Sequence, residues 1–271
     1  MKSLIFSVFA GCAVGVSAFT ATASVEPKEH KDSVVFLGGH PDDTEGFAAT
    51  AFLLKDKYDI HVVDYTGGER GCGEVKYLNG WTKQTRLEEE CAALAMLDTE
   101  PLYIGEVDAE SGVSRRTITT IWRLLTELKP KAVFTHWPVD MHLDHRHCAV
   151  ATMQAVQLLD CKPELYFFEV LTNQTCNWNA LYSVDVTKTM AKKRELLRKY
   201  RCQNSADALV RHKTEQAAMR GQERLPQVDY AETFTTLDGK RIENGVLEQL
   251  TETAILNAPP SDQLRPRILE K

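Results

Sequence analysis

The sequence lacks the short motifs that mark several common classes of enzyme. It contains no G-x-S-x-G, no G-x-x-x-x-G-K-[ST], no H-E-x-x-H and no G-x-G-x-x-G. These absences exclude the usual signatures of serine hydrolases, P-loop phosphate binders, zinc peptidases and dinucleotide-binding folds. The cysteines form no C-x-x-C pair, so neither a zinc ribbon nor a thioredoxin-type redox site is indicated.

An excess of positive charge is also absent. The 271 residues carry 32 Lys and Arg against 38 Asp and Glu, which gives a formal net charge of −6. Because nucleic-acid binding requires concentrated positive charge, we expect no nucleic-acid partner. Hydrophobic residues make up 43% and charged residues 26%, which excludes a disordered chain and a polytopic membrane protein. The core of such a chain is large enough to fold without a metal or disulfide.

The first 23 residues have the pattern of a secretory signal peptide. Lys2 provides a positive start, an apolar run covers 4–18, and Ala21-Thr22-Ala23 fits an A-x-A cleavage site. We therefore expect residues 1–23 to be removed and residues 24–271 to form one exported domain, periplasmic or secreted. A membrane anchor that is not cleaved is the alternative, because the stretch approaches the ~20 residues that span a bilayer. With the signal cleaved, no stable membrane insertion is expected.

Export would place the remaining cysteines in an oxidising compartment, where some of them can pair. Spacing alone selects no pairing, and we expect most of them to be small buried residues. They are Cys72, Cys91, Cys148, Cys161, Cys176 and Cys202.

Strand and helix patterns alternate along the mature chain. Strands are predicted at 33–39, 59–66, 101–104, 131–136, 164–170 and 181–186, and helices at 45–57, 82–97, 114–128, up to about 159, and 187–201. This alternation predicts an α/β fold with a doubly wound, mostly parallel sheet and helices on both faces, similar to a Rossmann arrangement. From Gln203 onward the sequence predicts only a mixed C-terminal extension.

Two polar clusters follow predicted strands. One is His40-Pro41-Asp42-Asp43, and the other is the segment 140–147, Asp-Met-His-Leu-Asp-His-Arg-His. Alone, the first is typical of a helix N-cap and the second of a solvent-exposed pair. Because loops at the carboxyl ends of parallel strands converge on one crevice, the two together favour a shared site. Imidazole and carboxylate groups are the ligands of catalytic zinc, so the clusters predict a metal site.

These motifs resemble those of the PIG-L/LmbE-like family of zinc-dependent N-acetylglucosaminyl deacetylases, over roughly residues 33–234. His40-Pro41-Asp42-Asp43 matches the opening motif of the family, and His142-Leu143-Asp144-His145 matches its H-x-D-H signature. Weaker matches are Tyr65–Gly71 to the T-x-G-E-x-G loop, Thr85–Glu89 to the R-x-x-E helix start, and the later blocks Val184–Val186 and Ala231–Phe234.

The resemblance implies a metal centre held by His40, Asp43 and His145. The implied ion is zinc, although ferrous iron also fits His and carboxylate ligands. His136 and His147 are expected to lie near this centre without binding the ion.

The resemblance also implies the catalytic groups. Asp42 would be the general base that activates the metal-bound water, and His142 the imidazolium that stabilises the oxyanion or protonates the leaving amine. Asp144 would fix the orientation of His142. Arg86 would position the substrate with Glu89 as its partner, although an ordinary surface i,i+3 pair is the alternative.

The implied function is removal of the N-acetyl group from an N-acetylglucosamine-type amino sugar or its conjugate. Two alternatives remain open: an amidase for another N-acyl or sugar-linked amide, and a non-catalytic glycan-binding protein with a structural metal. The expected partner is a small-molecule or glycan amide, and the oligomeric state is left open.

Two departures from the family pattern affect the pocket wall: the segment Thr44–Phe47, and Asp140 where some members carry tyrosine.

Overall fold

The computed structural model describes residues 31–71, 82–171, 174–224 and 226–256. Within these residues the chain forms one eight-stranded sheet in the order β3-β2-β1-β4-β5-β7-β6-β8. The strands are β1 (Asp32–Gly38), β2 (Tyr58–Thr66), β3 (Pro101–Glu106), β4 (Ala132–His136), β5 (Glu164–Phe168), β6 (Tyr182–Asp185), β7 (Ala231–Thr235) and β8 (Thr253–Ile255). The helices are α1 (Ala48–Leu54), α2 (Thr82–Leu94), α3 (Arg115–Leu128), α4 (Leu143–Gln157), α5 (Met190–Leu197) and α6 (Ala208–Glu223).

The sheet has a parallel part and an antiparallel part. Strands β3, β2, β1, β4 and β5 run parallel, and each of them pairs with its neighbour in that order. Strands β7, β6 and β8 extend the sheet through antiparallel pairs. The prediction of a mostly parallel α/β sheet is confirmed, and the chain beyond Gln203 adds α6 and two of the antiparallel strands.

Helices cover both faces of the sheet because successive strand residues point to opposite sides. In β1, Val34 and Phe36 belong to one buried cluster, while Val35 and Leu37 belong to the other. The first cluster includes residues of α1, α2, α5 and α6, and the second includes residues of α3 and α4. The ring of Phe36 stacks on Phe47 with centroids 4.2 Å apart. The two clusters fix the strand ends that carry the site.

The first predicted helix differs from the structure in a way that matters for the site. The segment predicted as 45–57 begins with a 3-10 turn over Asp43–Gly46, and the α-helix starts only at Ala48. Phe47 separates them with a φ of −142°, outside the helical range. Asp43 therefore does not cap α1, and its carboxylate is free to face the histidines.

The cysteines are less buried than the sequence suggested. Cys148 is buried, whereas Cys91, Cys161 and Cys176 are exposed, and all four are free thiols. The expectation that most cysteines are buried is therefore wrong for these three. Cys72 and the predicted signal peptide lie outside the described residues. Among the helices of the described ranges, none is long and apolar enough to cross a membrane.

Candidate metal and catalytic site

The two histidine motifs meet because β1 and β4 are parallel neighbours. Leu37 pairs with Thr135 in the sheet, so the chain leaves both strands at the same edge. Gly39 lies between them, and a Cβ at this position would come within 2.8 Å of the His145 ring. The absence of a side chain at Gly39 therefore lets His145 pack directly against the end of β1.

Three side chains present ligand atoms to one another at this edge. His40 Nδ1 lies 3.3 Å from His145 Nε2 and 3.5 Å from Asp43 Oδ2. His145 Nε2 lies 3.4 Å from Asp43 Oδ1. A tetrahedral zinc ion with bonds of about 2.0–2.1 Å holds its ligand atoms about 3.3 Å apart. The spacing of these atoms is therefore that of a metal-binding triad.

The remaining nitrogen of each histidine contacts a carboxylate. His40 Nε2 lies 3.1 Å from Asp144 Oδ2, and His145 Nδ1 lies 3.2 Å from Asp140 Oδ1. A carboxylate that accepts the N–H on one side of an imidazole leaves the lone pair on the other nitrogen for a metal. Both histidines are thereby held with their lone pairs towards the same point, so the residues present fit a divalent ion.

The electrostatics of the triad agree with this arrangement. Burial lowers the pKa of His145, but the charge of Asp43 and the hydrogen bond to Asp140 outweigh it and raise the pKa to about 9. Burial raises the pKa of Asp43, yet the charge of His145 and the hydrogen bond with His136 hold this pKa well below its usual value. His145 therefore carries a proton that balances the charge of Asp43. A divalent cation that bound to these residues would displace this proton.

His136 lies directly behind the triad, near the metal centre as expected from the sequence. Its ring stacks on His145 with centroids 3.9 Å apart and an interplanar angle of 4°. Its Nε2 lies 3.0 Å from Asp43 Oδ2. Burial and the charge of His145 lower the pKa of His136 to about 4, so the ring is neutral and supports the ligand carboxylate. His147 does not contact the triad directly. Its Nδ1 lies 3.0 Å from Ser111 Oγ.

Asp42 occupies a special backbone conformation beside the triad. Its φ is 111°, in the left-handed region where Asp and Asn are among the tolerated residues. This turn directs Asp43 into the triad and Asp42 into the neighbouring cleft, so two adjacent carboxylates face different groups. Burial raises the pKa of Asp42, and the charge of Arg86 only partly offsets this rise.

Arg86 contacts Asp42 rather than its expected partner. Its Nη2 donates to Asp42 Oδ1 at 2.6 Å and also to the carbonyl of Pro41. Glu89 instead accepts the backbone N–H of Cys202 at 3.1 Å and is not among the residues that line the cleft. The structure therefore separates the two residues predicted to act together on the substrate, and it places Arg86 against Asp42.

Asp144 contacts a different histidine from the one predicted. Its Oδ2 lies 3.1 Å from His40 Nε2, but 3.9 Å from His142 Nδ1. His142 is the N-cap of α4, and its Nδ1 accepts the N–H of Asp144 at 3.3 Å. Burial and the charges of His40 and His145 lower the pKa of His142. The expectation that the Asp144 carboxylate orients His142 is replaced by a contact to His40.

Three further residues complete the site, and of these only Asp140 was expected near it from the sequence, in the pocket wall. Asp140 accepts from His145 and from Gln174 Nε2, the latter at 3.1 Å. Asp108 Oδ1 lies 3.5 Å from His40 Nε2. Asp108 follows β3, another strand that ends at this edge, so the rule that strand ends converge could have found it. Gln174 carries no comparable signal, because it comes from a loop beyond β5.

These residues line an open cleft of about 420 Å³. Among the described residues the lining is predominantly polar or charged: His40, Asp42, Asp43, Glu45, Arg70, Arg86, Asp108, His142, His145, Gln174 and Gln203, together with Gly71, Ala109 and Val170. A pocket of this composition suits a ligand with many hydrogen-bonding groups better than an apolar one.

Comparison with known proteins agrees with the observed fold. N,N'-diacetylchitobiose deacetylase from Pyrococcus horikoshii is 22% identical, with a TM-score of 0.66 over 77% of this chain and 84% of its own. A conserved protein from Thermus thermophilus is 21% identical, with a TM-score of 0.66 over 78% and 96%. GalB, the 4-carboxy-2-hydroxymuconate hydratase from Pseudomonas putida, is 22% identical, with a TM-score of 0.65 over 79% and 99%.

At these identities the likeness shows a common fold. Because a deacetylase and a hydratase both have it, the fold alone does not assign the reaction. The family model described as PIG-L: GlcNAc-PI de-N-acetylase matches residues 35–156. This segment contains His40, Asp42, Asp43, His142 and His145. The match of residues 35–156 to this family model agrees with the resemblance found in the sequence.

Proposed function

We propose that this chain is a metal-dependent N-deacetylase that acts on an N-acetylglucosamine-type amino sugar or its conjugate. The observation that carries the proposal is the triad of ligand atoms 3.3–3.5 Å apart, with a separate carboxylate beside it in a polar cleft. A purely structural metal site is normally closed by a fourth protein ligand. The triad instead borders the cleft, which favours catalysis over a non-catalytic glycan-binding role.

His40, Asp43 and His145 are the residues that would hold the ion. Their nitrogen and oxygen atoms suit zinc, and ferrous iron is the alternative ion. A bound zinc ion polarises an amide carbonyl and lowers the pKa of water at the site towards ~7. Asp140 and Asp144 fix the two imidazole rings for this purpose.

Asp42 is the general base in this proposal. It lies next to a ligand, yet its own carboxylate is bound by Arg86 at 2.6 Å rather than by a histidine. It is therefore available to accept a proton from water in the cleft. Arg86 holds this carboxylate in one orientation, which is what a general base requires.

His142 is the group that delivers a proton to the departing amine. Its side chain is 42% exposed, the most accessible of the clustered histidines, and it lines the cleft. Its ring lies 4.5 Å from that of His40, centroid to centroid. A proton donor at the open side of the site can reach the leaving nitrogen, whereas the buried histidines are less accessible to it.

The test is hydrolysis of N-acetylglucosamine and its glycosides by the purified protein, measured as release of acetate and of free amine. Activity should disappear with a chelator and return with zinc. Other N-acyl amides are assayed in parallel, and a preference for them would support the amidase alternative. Binding of the glycan without any release of acetate would support the glycan-binding alternative.

The metal assignment has its own test in His145→Ala. Because the triad has little redundancy, this variant should lose most of its bound metal while keeping its far-UV circular dichroism spectrum. His61→Ala is the matched control, since His61 lies on β2 and contacts Ser33 at 3.4 Å. A full equivalent of tightly held zinc in His145→Ala would remove this residue from the ligand set.

We also propose that the protein is exported after removal of residues 1–23. The support is the positive start, the apolar run and the Ala21-Thr22-Ala23 site. Intact-mass measurement of protein recovered from the exported fraction tests this. A membrane-bound product that retains these residues would support an anchor instead.

A further inference from the structure

Glu45 is a buried carboxylate in the cleft wall that the proposed reaction does not use. It lies in the 3-10 turn Asp43–Gly46, and its backbone N–H donates to the carbonyl of Asp42 at 2.9 Å. Its side chain is 8% exposed and lines the same cleft as the triad. The turn that positions the base and the ligand carboxylate therefore also positions Glu45.

Lys213, from α6, neutralises this carboxylate. Its Nζ lies 3.0 Å from Glu45 Oε1, and its side chain is 1% exposed. The same ammonium also donates to the carbonyl of Val170 and, at 3.2 Å, to Gln216 Oε1. Lys213 is thus held in place from three sides, and only one oxygen of Glu45 is engaged. Within the described parts of the chain, no hydrogen bond reaches the second oxygen, Oε2.

The position of Glu45 is rigid. A Cβ added at Gly46 would meet the Phe168 ring at 2.7 Å and the carbonyl of Glu169 at 3.0 Å. The turn is therefore packed closely against the end of β5. On its other side, Thr44 Oγ1 and the Tyr200 hydroxyl lie 2.7 Å apart. A hydrogen-bond acceptor fixed in this way loses little entropy when a ligand binds.

The charge balance indicates which ligand group suits this acceptor. Lys213 compensates the carboxylate, so the pair offers little net charge to attract an ammonium group. A neutral hydroxyl can donate to Oε2 and leave the ion pair intact. A hydrogen bond with one charged partner is also stronger than one between neutral groups.

We propose that Glu45 is a specificity-determining residue, whose Oε2 accepts a hydrogen bond from a ring hydroxyl of a polyhydroxylated substrate while Lys213 holds Oε1. This inference rests on the proposed function, because it assumes that the cleft binds an amino sugar. It deepens that function by assigning recognition of the sugar hydroxyls to one carboxylate. It also explains why a fully buried lysine of α6 reaches the wall of the cleft.

The experiment compares substrates that differ by one hydroxyl. The zinc-loaded protein and Glu45→Gln are assayed with a methyl glycoside of N-acetylglucosamine and with analogues in which one ring hydroxyl is replaced by hydrogen. The unchanged protein should prefer the full substrate over at least one analogue by about tenfold or more in kcat/KM. Glu45→Gln should lose most of this preference, because its rate falls with the full substrate but little with that analogue. Bound zinc should be unchanged.

Two further variants distinguish a direct effect on the substrate from a loss of correct folding. Glu45→Asp keeps the charge for Lys213 but withdraws the carboxylate by one methylene, and it should also lose the preference. Glu232→Gln is the matched control, since Glu232 forms a similar buried ion pair with Lys193 at 2.6 Å but does not line the cleft. It should keep the preference. Retention of the full preference by Glu45→Gln would overturn the inference.

A binding measurement separates this inference from the proposed reaction. The affinities of the amine products, with and without the same hydroxyl, are measured by calorimetry with the zinc-loaded proteins. If the unchanged protein binds these sugars but hydrolyses no amide, the proposed reaction fails while the loss of preference in Glu45→Gln still tests Glu45. If the unchanged protein neither binds nor hydrolyses any of them, both proposals are wrong.

Discussion

His40 Nε2 and Asp144 Oδ2 lie 3.1 Å apart, and this contact joins two motifs that are 104 residues apart in the sequence. Asp144 also accepts the backbone N–H of Ala109 at 2.9 Å and contacts the hydroxyl of Ser111. Two contacts besides the imidazole therefore hold this carboxylate in place. Its effect on His40 is to place the lone pair of Nδ1 towards Asp43 and His145.

Asp144→Asn should therefore weaken metal binding. An amide accepts a hydrogen bond less strongly than a carboxylate, so the His40 ring becomes a poorer and less ordered ligand. Loss of such a supporting contact typically costs about 10–100-fold in metal affinity. The measurement is a competition titration of zinc against a chelating dye, with turnover recorded at saturating zinc.

Asp108→Asn is the matched control for this variant. Asp108 lies 3.5 Å from His40 Nε2, beyond a normal hydrogen bond, so the loss of affinity should be smaller. If Asp144→Asn binds zinc as tightly as the unchanged protein but shifts the pH profile of kcat, Asp144 acts through His142 instead, as the sequence resemblance implied.

Arg86→Lys should lower kcat with little change in KM. The guanidinium donates to Asp42, to the carbonyl of Pro41 and, at 3.3 Å, to that of Gly71. A lysine keeps the charge but cannot make all of these contacts from one plane. Asp42 then loses its fixed orientation, and we expect kcat to fall by about tenfold or more.

Steady-state kinetics on both this variant and an Arg116→Lys control decide this point. Arg116 forms an exposed pair with Glu106, so its replacement should leave both constants unchanged. A rise in KM at constant kcat in Arg86→Lys would instead restore the substrate-positioning role implied by the sequence.

The sequence predicts the parallel half of the sheet well because each strand there is a short apolar run followed by a turn signal. Strand β1 was predicted at 33–39 and is found at Asp32–Gly38. Helix α6 was not predicted, because its buried positions include Lys213, which sequence reasoning assigns to the surface. Its counterion, Glu45, is 168 residues away in the sequence. A helix that is stabilised by ion pairs over such distances has no local apolar pattern.

The sequence likewise predicts part of the site, namely the residues in its short motifs, but not the contacts between them. The residues of the metal triad and Asp42 come from compact motifs, and the structure brings them together. The partners of these residues were not predictable, because sequence reasoning pairs Asp144 with the nearby His142 and Arg86 with the nearby Glu89. Only the three-dimensional arrangement shows that Asp144 reaches His40 and that Arg86 reaches Asp42.

Glu90 should make the stability of the protein depend on pH. Among the described residues, neither oxygen of its carboxylate has a hydrogen-bond partner. Burial raises its pKa from 4.5 to about 8, and the charge of Asp42 adds to the rise. Between these values the native state keeps a proton that the unfolded state releases. The free energy of unfolding therefore falls as pH rises from about 5 to about 8.

Glu90→Gln should remove this part of the pH dependence. Urea unfolding at pH values from about 5 to about 8 should show a smaller loss of stability in the variant, by about 3 kcal/mol over the range. Glu88→Gln is the control, because Glu88 is an exposed residue on the same helix and should follow the unchanged protein. Parallel curves for the unchanged protein and Glu90→Gln would show that Glu90 is ionised in the native state.

Asp42 and Asp43 should respond differently to the same substitution. Asn keeps the shape of Asp and is tolerated at the φ of 111° that Asp42 adopts, so Asp42→Asn adds no backbone strain. It cannot accept a proton, and turnover should fall by at least about two orders of magnitude while zinc stays bound. Asp43→Asn should weaken the metal instead, because Asp43 contacts His40 and His145. Its activity should partly recover with excess zinc.

Bound zinc and turnover are measured for both variants side by side. The two variants can be compared directly because Asp42 and Asp43 are adjacent residues of the same type. Each substitution therefore changes the composition and net charge of the protein by the same amount. What differs is the group each one faces, Arg86 at 2.6 Å for Asp42 and the histidines at 3.4–3.5 Å for Asp43. If Asp42→Asn proves metal-free or turns over at nearly the original rate, the base and the ligand have been assigned the wrong way round.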